Sequence, residues 1–135
     1  MKSVIIVLFA AIFGMGFRND QPSIQDSITR GKKVYDTYCL PCHLADGGGV
    51  PRMNPPLIKT VYVLGDKKRL VGIVLNGMDE PLEIDGETYS NVMAPHEFLK
   101  DQEIADVLTY VRNSFGNKAS AVTAEEVKAI RAEKK

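Results

Sequence analysis

Cys39 and Cys42 stand three residues apart and His43 follows directly, so that Cys39-Leu40-Pro41-Cys42-His43 is a C-x-x-C-H run. Two thiols at this spacing can each add across a vinyl group of one haem, and the adjacent imidazole is then held beneath the iron as an axial ligand. Other chemistries compete for the same residues. A thioredoxin-type C-x-x-C belongs near the start of a helix in a βαβ setting, and no strand-like run precedes Cys39. Cys39, Cys42, His43 and His96 could supply four zinc ligands, but adjacent ligands at positions 42 and 43 need an awkward bend to reach one tetrahedral ion. A disulfide between Cys39 and Cys42 would close a very small loop, stabilise little, and leave His43 unexplained.

A haem iron has a second face, and Met53, Met78, Met93 and His96 are the candidates for it. Covalent attachment of haem takes place outside the cytoplasm, and the N-terminus reads as an address to match. Lys2 precedes an unbroken apolar run over residues 4–13, small residues follow at Gly14 and Gly16, and a polar stretch begins at Arg18. Residues 1–16 are therefore read as an export signal, with an uncleaved membrane anchor as the rival reading. The run is shorter than the roughly 17–25 residues that span a bilayer. No Cys follows it to carry a lipid.

The remaining chain must position these groups. Ser23 and Asp26 open an amphipathic helix over residues 23–38 that runs directly into Cys39. Residues 44–56, with Gly47 to Gly49, Pro51, Pro55 and Pro56, can be neither regular helix nor central strand. Asp66 caps a helix over residues 67–75 that stops at Asn76-Gly77. Residues 78–98 show turn chemistry, with one short extended piece at residues 87–89. Ile104, Val107, Leu108, Val111 and Phe115 share a stripe, which predicts a helix over residues 101–115 closed by Gly116, although Lys100 is a poor N-cap. Thr123 and Glu126 form a capping box for a last short helix, whose charged end is expected to pack loosely. The fold class is all-α with long structured loops.

Composition bounds the function. The 135 residues carry 17 Lys+Arg against 17 Asp+Glu, 44% hydrophobic residues and two Cys, which describes one small domain. Balanced charge excludes the footprint of a nucleic-acid binder, and two cysteines are too few for a disulfide scaffold. Removing residues 1–16 leaves 119 residues (135 − 16) and, with Lys2 gone, 16 basic against 17 acidic groups. Near-zero net charge sets no preference for acidic or basic partners. The organisation expected is a signal at residues 1–16, a domain at residues 17–120 and a C-terminal helix or tail at residues 121–135.

The motifs together resemble the small class I c-type cytochromes of bacterial periplasms. The resemblance rests on Gly31-x-x-x-Tyr35 ahead of the C-x-x-C-H, the stretch from Gly49 to Pro55-Pro56-Leu57, Leu75-Asn76-Gly77, Gly86-x-x-Tyr89-x-x-x-Met93, and residues 104–113. It covers nearly all of the exported chain. It implies three or four helices packed around one haem c bound through Cys39 and Cys42, with His43 and Met93 as iron ligands. The family has Pro directly after this Met, whereas Ala94 precedes Pro95 here, and His96 is the rival ligand. The resemblance further implies that the Pro55 carbonyl accepts a hydrogen bond from the ligating imidazole and that Leu57 lines the pocket. Met78 would fill the crevice, Gly31 and Tyr35 would meet the last long helix near Tyr110, and Arg52 is open to a haem propionate or to solvent.

A His/Met pair leaves no open iron site, so the chemistry implied is outer-sphere electron transfer at high potential, not catalysis. The expected protein is an exported monomer, membrane-bound only if its N-terminus is uncleaved, which exchanges electrons with a dehydrogenase, a reductase or a terminal oxidase. The alternative is a peroxidase-like or gas-binding haem protein from which Met93 departs.

Overall fold

A computed structural model describes residues 23–133. The signal segment lies outside the described residues. The elements in order are α1 (Ile24–Tyr38), α2 (Leu40–His43), α3 (Val61–Leu64), α4 (Lys67–Asn76), β1 (Leu82–Ile84), β2 (Glu87–Tyr89), α5 (Asp101–Val111) and α6 (Ala124–Ala132). Helices dominate, as the spacing of apolar residues requires, and the sheet is a single hairpin. Among the described residues no helix is long and apolar enough to cross a membrane.

The main packing is α1 across α5. Ser23 caps α1 by accepting from the Asp26 N–H at 3.1 Å. One turn on, Gly31 is buried against α5: a Cβ there would stand 2.9 Å from the Tyr110 Cβ and collide with the Asp106 carbonyl. The helices therefore touch backbone to backbone. Asp106 is 3% exposed, and the Arg30 guanidinium compensates its charge with two parallel bonds of 2.7 and 2.8 Å. Tyr35 stacks obliquely on Tyr110 and Phe115 at 5.3 and 5.4 Å, and its hydroxyl donates to the Leu44 carbonyl at 2.7 Å. Gly31→Ala is expected to destabilise the protein by about 1–3 kcal/mol, the usual cost of overpacking. Thermal unfolding reads this as a Tm lower by several degrees per kcal/mol; an unchanged Tm would mean the helices can separate freely.

Helix α5 ends four residues before the expected position. The Asn113 side chain takes the Thr109 carbonyl at 3.0 Å, and Phe115 and Gly116 turn the chain in the left-handed region at φ 57 and 78. Phe115 continues the apolar stripe from a turn. Just beyond, Asn117 is buried and ties three segments together. Its amide N–H groups donate to the Leu57 and Val111 carbonyls, both at 2.8 Å, and its Oδ1 accepts from the Lys59 N–H at 2.7 Å. Lys100 caps α5 poorly with its side chain, but its backbone N–H donates to Glu103 Oε2 at 2.8 Å.

The C-terminal segment does not pack loosely. Val127 is completely buried and Ile130 packs against the core. The charges expected to lie in solvent hold the helix down instead. Arg131 bonds Asp101 at 2.7 Å and the Glu97 and Leu99 carbonyls at 2.8 Å, and Lys67 bonds Glu126 at 2.9 Å. Burial alone would raise the Glu126 pKa, but the Lys67 ammonium and the Thr123 N–H outweigh it and hold the carboxyl below its ordinary 4.5. A lowered folded pKa stabilises fully above the unfolded value and is lost as pH falls through the folded one. Glu126→Gln should therefore lower stability at pH 7 by less than about 1 kcal/mol, since the pair is part-exposed. The deficit should close in the acid limb of a Tm-against-pH series; a constant deficit would remove the carboxylate from the explanation.

Helix α4 matches its caps: Asp66 accepts from the Lys68 N–H at 2.7 Å, and Gly77 closes the helix at φ 73. The extended piece at Glu87–Tyr89 has a partner that the sequence reading lacked, Leu82–Ile84, in the antiparallel register Leu82↔Tyr89. Asp85-Gly86 joins the strands with positive φ at both residues, the requirement of a two-residue type I′ turn.

Candidate functional site

Cys39 sits at the end of α1, where its N–H still bonds the Tyr35 carbonyl at 2.9 Å, and α2 starts at once with Leu40-Pro41. Pro near a helix start costs nothing, since its missing N–H would lack a partner there. The single turn of α2 puts His43 against the core, where it is 8% exposed. His43 Nδ1 donates to the Pro55 carbonyl at 3.0 Å. Burial pushes the imidazole pKa down, and the Pro55 carbonyl acts the other way with less effect. A neutral ring with its Nδ1 proton engaged keeps a lone pair on Nε2, the state a metal ligand needs.

The proline loop has an imposed shape. Gly49 N–H donates to the His43 carbonyl at 3.1 Å, Leu57 N–H to the Gly47 carbonyl at 2.8 Å, and Val50 and Asn54 exchange two bonds of 2.9 Å. With Asn117 holding Leu57 and Lys59, the Pro55 carbonyl is fixed in place.

On the other side of the same space, Met93 and Met78 exchange backbone bonds of 2.8 and 2.9 Å. A Cβ at Gly77 would stand 2.9 Å from the Pro95 nitrogen and collide with the Met93 carbonyl, so only glycine lets residues 93–95 lie down on the end of α4. Ala94 ahead of Pro95 is accommodated without disturbing this bridge.

Between the two sides lies a cavity of about 310 Å³. Cys39, Cys42, His43, Pro55, Leu57 and Met93 all line it. Met78 and His96 line it too. Met53 and Arg52 do not: Met53 is exposed, and Arg52 faces Glu87 at 3.7 Å in solvent. The rest of the wall is mostly apolar, drawn from α4, the hairpin and Val107, Leu108 and Val111 of α5, with Asn54, Thr60, Glu80 and Asn91 among its polar members. Those three residues read as ordinary core in the sequence, because a core face and a cavity wall share one period.

The geometry decides between the competing chemistries. Both cysteines are free. Burial pushes the Cys39 thiol up to about 11, the reverse of what a thioredoxin-type nucleophile needs. Among the described residues no three His, Cys, Asp or Glu side chains are grouped to hold a metal ion, so the four-ligand zinc arrangement is not formed. The lining suits a largely apolar cofactor instead: two free thiols, a buried imidazole and Met93 all border one space. His96 Nδ1 is buried without a hydrogen-bond partner. An orphaned polar atom beside an apolar cavity is a cost that the protein alone leaves unmet.

Comparison with known proteins gives the same direction. Residues 28–115 match the family model described as Cytochrome c. Cytochrome c-552 of Thermus thermophilus is 35% identical over 113 residues, covering 77% of this chain and 86% of that protein. The cytochrome c subunit of alcohol dehydrogenase (quinone) from Gluconacetobacter polyoxogenes is 37% identical over 103 residues, covering 75% of this chain but 22% of that subunit. The gluconate 2-dehydrogenase cytochrome c subunit of Pantoea cypripedii is 34% identical over 109 residues, covering 78% of this chain and 25% of that one.

Proposed function

The chain belongs to the cytochrome c family, and from that membership we propose that one haem c, attached through Cys39 and Cys42 and ligated by His43 and Met93, carries single electrons between partner proteins. It is an electron-transfer protein with covalently bound haem c and is not itself catalytic. When bound, the haem supplies a one-electron ferric/ferrous couple.

The protein's own residues do the rest. The Pro55 carbonyl holds the His43 ring by its Nδ1 proton, directs Nε2 inward and raises its basicity. The bridge between Met78 and Met93 holds the thioether's backbone from two sides. Leu57 and the apolar wall keep water from the cofactor, which disfavours the more charged ferric state and raises the potential. Were His43 and Met93 both to hold the iron, no site would remain for peroxide or a gas. The observation that carries this reading is the convergence of Cys39, Cys42, His43 and Met93 on one apolar cavity.

The domain proposed spans residues 17–120, with residues 121–135 as a C-terminal segment whose helix α6 packs on α5 and α4. The apolar run at residues 4–13 and the haem chemistry both support export to the periplasm, and we propose that the protein is a monomer there. Its partners are redox proteins, and we propose a dehydrogenase, a reductase or a terminal oxidase among them. The test is the protein exported with a cytochrome maturation system, with denaturing electrophoresis stained for haem and absorption spectra in both oxidation states. Haem that survives denaturation, and a reduced protein that resists carbon monoxide, are expected. Absence of covalent haem where a control cytochrome acquires it would refute the assignment, and rapid carbon monoxide binding would favour a haem enzyme or sensor.

A further inference from the structure

We propose that the mouth of the cavity docks a redox protein whose contact face sets lysines and arginines around an apolar centre. The proposal rests on electrons entering and leaving by that mouth. Phe98, which lies outside the cavity lining, stands in water beside it at 63% exposure. Tyr38 and Val92 line the cavity itself, and Phe98 meets Tyr38 edge to face at 5.4 Å. Clustered exposed apolar and aromatic groups are the usual centre of an interface.

One segment beside this centre carries charge of a single sign. From Gly77 to Leu99 the sequence holds Asp79, Glu80, Glu83, Asp85, Glu87 and Glu97, and no Lys or Arg. All six are exposed. Glu80 lines the cavity, and Asp79 shares an adjoining hollow with Val92 and Met93. Asp85 and Glu87 ride on the hairpin whose Leu82 and Ile84 form the cavity wall, and Glu83 lies on the outer face of the same strand.

Five of the ten described acids outside this segment are in ion pairs. Asp36, Asp101, Asp106, Glu126 and Glu133 each lie against a Lys or Arg. Asp79, Glu80, Glu83 and Asp85 make no ion pair among the described residues; Arg52 lies 3.7 Å from Glu87 in solvent, and Arg131 reaches the segment's far end at the Glu97 carbonyl, 2.8 Å away. A chain with no net charge thus keeps uncompensated negative charge beside its cofactor. The neutral total, which by itself sets no preference between acidic and basic partners, conceals a local field. Complementary charge at a small transient interface speeds and orients encounter.

The experiment uses the haem-loaded protein in stopped flow. Its reduced form is oxidised by tris(phenanthroline)cobalt(III), a cation, by ferricyanide, an anion, and by a lysine-rich cytochrome c as a macromolecular probe. Between about 10 mM and about 500 mM salt, the rates with the cation and the lysine-rich protein should fall roughly tenfold while the ferricyanide rate rises. A field set by net charge alone would leave all three flat. Reversing Asp79→Lys with Glu80→Lys should invert the order, and Glu125→Lys, on α6, should leave it unchanged. Flat salt profiles, or an equal effect of Glu125→Lys, would overturn the proposal. Failure of every oxidant to exchange electrons would overturn the electron-transfer reading beneath it.

Discussion

Replacing Met93 with alanine will abolish the weak far-red band of the oxidised protein and lower its reduction potential by on the order of 100 mV or more, since axial ligands tune haem potentials over about 0.8 V. The substitution is clean because what positions residue 93 is main chain. Its N–H and carbonyl exchange bonds with Met78, and Gly77 lets the following residues lie against α4. Alanine keeps all of this and removes only the thioether. A thioether stabilises the ferrous state relative to the ferric, so its loss lowers the potential. The reduced variant should then bind carbon monoxide rapidly. His96, three residues on and lining the same cavity, could instead occupy the iron. A Met93→Ala protein that loses the band yet refuses carbon monoxide, and accepts it once His96→Phe is added, would identify that substitution of ligand. A protein that keeps both band and potential would dismiss Met93.

The double variant Cys39→Ala with Cys42→Ala, which cannot hold haem covalently, should lose fixed tertiary structure. An unfilled cavity costs about 24 cal/mol per Å³. Applied to about 310 Å³, that is on the order of 7 kcal/mol. Total stabilities are about 5–15 kcal/mol, so the empty protein retains little or none. The residues that would collapse include Val107, Leu108 and Val111 of α5, which also pack against the rest of the core, so the loss spreads beyond the site. Near-UV circular dichroism should be flat and thermal unfolding without a cooperative transition. A sharp transition in the variant would show that the helices form their own core, with the cofactor an addition to it.

Much of this was legible in the sequence where chemistry or capping acts locally. The C-x-x-C-H run is contiguous because both thiols must reach one ring, and α4 is bounded by Asp66 and Gly77, whose roles are set within a few residues. Legibility failed where a partner decides. Leu82–Ile84 is too short to declare itself a strand and becomes one through Glu87–Tyr89. Val61–Leu64 is a single turn held by the Thr60 cap. The end of α5 is set by Asn113 competing for the Thr109 carbonyl, a side-chain bond that apolar spacing does not report. A charged end predicts loose packing for the last helix, whereas Arg131 finds Asp101 and the capping residue Glu126 finds Lys67, both on segments distant in sequence. The charge segregation at the cavity mouth vanishes from any whole-chain sum.

Asn117 carries a consequence for speed. One buried amide joins the loop behind the Pro55 carbonyl to the end of α5, which walls the cavity. Any shift of the loop would have to break bonds to both elements. The His43 ring is therefore held in one orientation whichever charge the metal carries, because the carbonyl that orients it belongs to this braced loop. Little nuclear rearrangement accompanies a change of oxidation state in such a frame, and a small reorganisation energy lets an electron hop during a brief encounter. Asn117, remote from both cysteines in sequence, thereby helps determine how long a partner must stay.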